Sequence, residues 1–251
     1  MRRFYLPLQS LPADRIEISG QEARHMAMVL RLQPGQQVEF FDGQGTVLTA
    51  VLRSADKHRV VADIVGVRHE DAQEQAPLTL AQCLLKGKKM DLLVQKATEL
   101  GVRTFLPLVS RYCENRGDRD PVERWQRIMI EACKQCHRAT PMEIAPVTLI
   151  EEADCTPYAH RLVAWEAEQA APLPTGFVDH PGSICLLLGP EGGLHGSEIA
   201  ALEQRGFVPF SLGPRILRGE TAALAAVSIV QYLSGALSPP LASRYPFADN
   251  R

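Results

Sequence analysis

The apolar positions of this chain change rhythm part-way along. From Phe4 to about Ala72 they fall in short runs, Val38 to Phe41, Val47 to Leu52 and Arg59 to Val67, with a turn at Asp42 to Gly45. Short runs bounded by turn residues read as strands, and several in succession predict a compact β-barrel. One segment departs from this. In Gly20 to Leu32, GQEARHMAMVLRL, the residues Ala23, Met26, Ala27 and Leu30, with Val29 at the margin, recur at helical spacing until Pro34-Gly35 intervenes, which predicts one helix on the barrel. The polar stretch His69 to Pro77, HEDAQEQAP, closes on a proline and reads as a linker, with a boundary near residue 75.

Beyond that boundary strand-like and helix-like segments alternate: Leu78 to Leu84, Lys89 to Leu100, Thr104 to Leu108 and Val122 to Cys136. This is the βαβ rhythm of a parallel sheet. Further strands are predicted at Arg161 to Trp165, Ile184 to Leu188 and Phe207 to Leu212, and a long apolar helix at Glu220 to Leu233. The expected organisation is a β domain over 1–75, an α/β domain over 76–240 and a tail over 241–251.

The last two strands carry the chemistry. Ser183 to Gly196 reads SICLLLGPEGGLHG and Phe207 to Ala226 reads FVPFSLGPRILRGETAALAA, so each apolar run stops at a Gly-Pro turn and is followed by a helix-like segment. Two strand ends presenting bare peptide groups suggest a ligand at the carboxyl edge of a parallel sheet. Glycines of this kind can cradle phosphate, yet neither GxxxxGK[ST] nor a strand ending in GxGxxG is present. A neutral or zwitterionic ligand therefore stands beside a nucleotide phosphate, and a turn without any ligand is the plainer alternative for GPEGG taken alone. In the second turn Arg215 and Arg218 flank Ile216 and Leu217, the mixture of apolar wall and polar anchor found in small-molecule pockets.

Composition narrows the class. The 251 residues are 45% hydrophobic and 22% charged with a net charge of -2, which suits a soluble globular protein and excludes one that is basic throughout. Arg2-Arg3 precede only a broken apolar run with Pro7 and Pro12, and the longest apolar candidate, Ala222 to Leu237, is interrupted by Ser228, Gln231 and Ser234. Neither an export signal nor a membrane span is expected, so the expectation is a cytoplasmic protein with six reduced cysteines. Cys133, Cys136 and His137 match the CxxCH of haem attachment, but they lie in a predicted helix without an export signal, and no second cysteine pair completes a zinc site. No haem, zinc or other metal is expected. Basic residues gather at Lys86, Lys88 and Lys89, and at Arg2, Arg3, Arg24, His25 and Arg31. They form either solvated faces or a track for a phosphate backbone. Aromatics to stack on single strands are few, and folded RNA contacted through shape and phosphates would demand fewer of them.

At these residues the chain resembles the bacterial ribosomal RNA small subunit methyltransferase E family, of the SPOUT class. The resemblance covers RFYLP at Arg3 to Pro7, HMAMVLRLQPGQ at His25 to Gln36, KGKKMDLLVQKATELGV at Lys86 to Val102, LLLGPEGG at Leu186 to Gly193 and LGPRILRGETAALAA at Leu212 to Ala226. It implies a PUA-like barrel in front of a SPOUT-type α/β sheet with a carboxyl-terminal trefoil knot, and a homodimer. It implies S-adenosylmethionine bound at Leu188, Gly189, Pro190, Glu191, Gly192 and Gly193, and at Leu212, Gly213, Ile216, Leu217 and Arg218, with Glu166 ending a nearby strand. The implied reaction methylates N3 of a uridine in 16S ribosomal RNA, free or in the small subunit. Arg218 would stabilise the deprotonated uracil, and Glu191 or Glu220 would take the proton. A non-catalytic ribosome-assembly factor and a ribose 2′-O methyltransferase are the competing functions. The sequence departs from the family at Cys136-His137, where small residues are frequent, and at Gly219, where threonine is.

Overall fold

The computed structural model describes residues 1–7, 14–70, 76–114, 121–168 and 171–237. The expected tail over 241–251 and the middle of the expected linker lie outside them. The chain divides into two compact units, one of Met1–Gln73 with Met129–Pro141, the other of Glu74–Ile128 with Met142–Arg251.

The first unit is a five-stranded sheet of β1 (Arg2–Tyr5), β2 (Arg15–Ser19), β3 (Gln37–Phe41), β4 (Thr46–Ala55) and β5 (Arg59–His69), in the order β1-β3-β4-β5-β2. β1 runs parallel to β3 and the remaining pairs are antiparallel. Alternation sets the faces: Ile16 and Ile18 of β2 are buried while Arg15, Glu17 and Ser19 between them are exposed. Phe4, Phe40, Leu48 and Leu52 fill the same core, each contributing about 1.5–3 kcal/mol by burial. The β3–β4 turn forms because Asp42 accepts from the amides of Gln44 (2.7 Å) and Thr46 (3.0 Å) while Gly43 and Gly45 take positive φ.

The expected single helix over Gly20 to Leu32 is two pieces. α1 (Gly20–Arg24) gives way to a π-helical turn at His25–Val29, with the Leu30 amide donating to the His25 carbonyl at 3.0 Å. The apolar face that helical spacing predicts persists through the wider turn apart from Val29 at its margin. Ala23 and Met26 are fully buried, Ala27 and Leu30 half-buried, and Val29 is 68% exposed.

The second unit is a seven-stranded parallel sheet. Its strands are β6 (Leu78–Cys83), β7 (Thr104–Val109), β8 (Glu143–Ile144), β9 (Thr148–Leu149), β10 (His160–Ala164), β11 (Ile184–Leu188) and β12 (Val208–Phe210). The order is β12-β10-β11-β6-β7-β8, with β9 also pairing β7. β6 and β11 are buried at every position, which is why they read as unbroken apolar runs. Pro107 of β7 falls where its outer edge passes from β8, paired at Thr104 and Phe105, to β9, paired at Leu108 and Val109.

Helices α2 (Lys89–Glu99), α3 (Val122–Cys136), α4 (Gly176–Asp179), α5 (Gly196–Gln204) and α6 (Gly219–Leu233) connect the strands. The buried Gln231 of α6 donates to the Leu100 carbonyl just beyond α2 at 2.8 Å, fixing the last helix to the first crossover. α3 begins in the second unit and ends in the first, where His137 stops it at φ 63. All six cysteines are free. Burial pushes the Cys133 thiol up to about 12. Among the described residues no helix is long and apolar enough to cross a membrane, and no group of side chains could hold a metal ion.

Candidate active site

Because β6, β7, β10, β11 and β12 are parallel, their following loops leave from one edge, and chain order breaks there between β11 and β6. The first glycine turn, Gly189–His195, is the centre. Gln82, fully buried at the end of β6, donates to the Gly189 carbonyl at 3.1 Å. The amide of Lys86 and the ammonium of Lys89 both donate to Glu191 Oε1, at 3.0 and 2.8 Å. At the far end Glu198 accepts from the amides of His195 and Arg111, each at 2.9 Å, closing a capping box on α5 and tying it to the loop after β7. Four elements thus hold one turn that its own glycines would leave loose.

The glycines are needed for closeness. A Cβ on Gly192 would stand 2.9 Å from Tyr112 Cβ, one on Gly189 3.0 Å from Leu194 Cγ, and one on Gly193 would collide with the Glu166 carboxylate. Gly193 also has φ +73, where an L-residue costs about 1–2 kcal/mol. Glu166, predicted from sequence, is therefore against this turn. The second turn, Ser211–Arg218, starts where β12 ends, and Trp165 N donates to Phe210 O at 3.1 Å beside it. Leu212 and Leu217 are half-buried, while Gly213, Arg215 and Arg218 are exposed, and Ile216 is 91% exposed. Arg218 caps α6 with extended backbone, and its guanidinium has no partner among the described residues.

The two candidate bases separate. Glu191 is occupied by two donors; burial would raise its pKa, but Lys89 and the Lys86 amide outweigh burial and hold it below the usual value. Glu220, in the first turn of α6, has an ion pair to Lys89 at 3.5 Å and a buried Oε2 without a hydrogen bond.

The basic candidates also separate. Arg2, Arg24 and Arg31 are exposed and His25 half-buried in the first unit, with Arg2 donating to the Leu30 carbonyl at 3.3 Å. Arg3 corrects the sequence reading: its side chain is fully buried over Phe41, 4.0 Å from Glu39 and 3.6 Å from Glu70, so it cannot meet a phosphate. Burial pulls its pKa down from the usual arginine value. In the second unit Lys88 is exposed, Lys86 pairs with Glu114 at 2.5 Å, and Lys89 faces the two glutamates. Sequence reasoning missed Gln82, Tyr112 and Glu198. Gln82 alone left a signal, an amide inside an otherwise apolar strand. A separate cavity of about 440 Å³, bounded by Val109–Arg111, Leu149–Glu151 and α5, is lined by none of the predicted residues.

Fold and cradle together define an RNA methyltransferase carrying a PUA module: the RNA methyltransferase domain family matches residues 72–231 and the RNA methyltransferase PUA domain family matches residues 18–65. The chain belongs to the ribosomal RNA small subunit methyltransferase E family. The enzyme of that name from Buchnera aphidicola (subspecies Schizaphis graminum) is 30% identical over 227 residues, 89% of this chain and 92% of that protein. Among solved structures, the Neisseria gonorrhoeae enzyme bound to S-adenosylmethionine is 35% identical with a TM-score of 0.81, covering 93% of this chain and 98% of that one. A Legionella pneumophila methyltransferase, also in complex with that cofactor, is 31% identical with a TM-score of 0.80, covering 92% and 96%.

Proposed function

We propose that this protein transfers a methyl group from S-adenosylmethionine to N3 of a uridine in 16S ribosomal RNA. The observation that carries the reading is the cradle, in which a Cβ on Gly192 would overlap Tyr112 Cβ, one on Gly193 would meet the Glu166 carboxylate at a positive φ, and one on Gly189 would press on Leu194. It fits a ligand read by peptide groups: Leu188–Gly193 and Leu212–Arg218 offer backbone donors and acceptors, and Leu212, Ile216 and Leu217 offer apolar contact. The buried Gln82 Oε1, without a hydrogen bond among the described residues, adds a polar anchor on the same strand edge. The cofactor complexes of the Neisseria and Legionella relatives support the same assignment.

When bound, S-adenosylmethionine supplies a methyl group on a sulfonium sulfur. The chain's own residues do the rest. In-line placement of the uridine ring by the two turns supplies most of the acceleration. Arg218, whose guanidinium has no partner among the described residues, lies one residue before α6 and stabilises the negative charge left on uracil when its N3 proton departs. Glu220 accepts that proton, since Glu191 already serves two donors. Arg2, Arg24, His25 and Arg31 of the first unit and Lys88 of the second contact RNA phosphates.

The reading includes a threaded carboxyl-terminal segment, a cytoplasmic location and a homodimer. Partly exposed Leu92, Ile229 and Tyr232 on α2 and α6 support the dimer, and light scattering that returned a monomer would remove it. Calorimetric titration tests the whole: binding of S-adenosylmethionine is expected, and no heat with or without ribosomal RNA would overturn the reading.

A further inference from the structure

Lys89 lies in a basic run, KGKK, whose plainest role is contact with RNA phosphates, but its surroundings give it another. It is the first residue of α2, two-thirds buried, with Nζ 2.8 Å from Glu191 Oε1 and 3.5 Å from Glu220 Oε2. Glu191 belongs to the first glycine turn and Glu220 to the segment that leaves the second. No other described cation pairs with both. The same β6–α2 loop touches both segments elsewhere, through the Lys86 amide on Glu191 and through Leu85, whose Cδ2 lies 2.8 Å from where a Gly219 Cβ would be.

We infer that Lys89 is a positioning residue that fixes the two halves of the cofactor cradle against each other by bridging Glu191 and Glu220, rather than an RNA contact. The inference rests on the function proposed above. The physical need is plain. The first turn carries three glycines and does not hold its own shape well, and the second is exposed over most of its length. Without the ammonium two carboxylates would face each other, one with a buried oxygen that has no hydrogen bond among the described residues. Lys89 is held in its charged form by the Glu191 hydrogen bond, which raises its pKa. An RNA-bound lysine would have to leave both glutamates.

The test separates this from phosphate binding and from the broader reading. S-adenosylmethionine affinity is measured calorimetrically without RNA for the wild type, Lys89→Gln and Lys89→Arg, together with amide hydrogen exchange of the cofactor-free proteins. Lys89→Gln is expected to weaken cofactor binding at least tenfold and to speed exchange in both 189–195 and 219–222, while Lys89→Arg restores most of each. RNA affinity and its salt slope should change less than twofold. If the wild type binds cofactor and Lys89→Gln binds it equally, or exchange changes in neither segment, the inference is overturned while the function stands. A salt slope reduced by about one with cofactor affinity intact would make Lys89 a phosphate contact instead. Failure of the wild type itself to bind cofactor would overturn the functional reading on which the inference rests.

Discussion

Gly192→Ala isolates the cradle from every other feature of the site. Gly192 is surface-exposed and is not among the residues with positive φ, so alanine brings no backbone strain, only a methyl group. That methyl would sit 2.9 Å from Tyr112 Cβ, against a comfortable carbon separation of about 3.5–4.0 Å. Tyr112 Cβ is fixed to backbone, so either the glycine turn or the loop after β7 must move by roughly 0.6–1.1 Å to reach that separation. In the free protein the turn takes up that shift against the contacts from Gln82, Lys86, Lys89 and Glu198 that hold it. Binding requires it back, so an overpacking cost of about 1–3 kcal/mol is expected in the cofactor affinity, roughly 5- to 150-fold. Calorimetry on Gly192→Ala and on Gly196→Ala gives the comparison, because a Cβ on Gly196 meets nothing within 4 Å and should leave affinity within twofold. Equal affinities for the two variants would refute the argument that this turn must stay bare to hold its ligand.

The remaining predictions address charge and organisation. Arg218→Ala should lower single-turnover methyl transfer at least about tenfold, about 1.4 kcal/mol, with cofactor affinity changed far less; a normal rate would retire its role. Glu39→Gln leaves the fully buried Arg3 with only the partly exposed Glu70, a loss of about 3 kcal/mol at pH 7 by analogy with broken buried pairs, readable by denaturant unfolding. Its sign with pH follows from the pKa of Glu39, held below 4.5 chiefly by the Arg68 hydrogen bond: the stabilisation is full above that value and fades as pH falls through the lower folded one. The deficit of the variant should therefore shrink in acid, and a deficit independent of pH would show that packing, not charge, is responsible. Removing residues 1–70 strips the first unit from around the buried Ala132, Cys133 and Ala139, so the truncated chain should bind a hydrophobic dye that the full chain does not.

The strands and crossover helices were legible because burial imposes a period on them. Ile184–Leu188 and Val122–Cys136 stand at the residues that the apolar pattern assigns, the first fully buried, the second with one continuous face. The pattern could not show the change of hydrogen-bonding period at the π-helical turn His25–Val29, since Ala23, Met26, Ala27 and Leu30 stay buried or half-buried through it and only the marginal Val29 is in solvent. It also could not show that α3 serves two cores, since a helix with one apolar face reads the same whichever unit covers it. Of the site, the glycine turns were legible because glycine in a Gly-Pro turn at a strand end states a backbone requirement. Charge was not. Arg3 and Lys89 look alike in sequence to any surface cation, and only long-range partners, Glu39 and Glu70 for one, Glu191 and Glu220 for the other, remove them from it.

The central claim is that the paired glycine turns deliver a methyl group to a base nitrogen of ribosomal RNA. Incubating the protein with isotopically labelled S-adenosylmethionine and small-subunit RNA, free and assembled, and digesting the product to nucleosides for mass spectrometry tests it most directly. Label is expected in N3-methyluridine at one position of 16S RNA, appearing at least about tenfold more slowly with Arg218→Ala. Label in a ribose 2′-O-methyl nucleoside, or no label from a protein that binds both ligands, would contradict it.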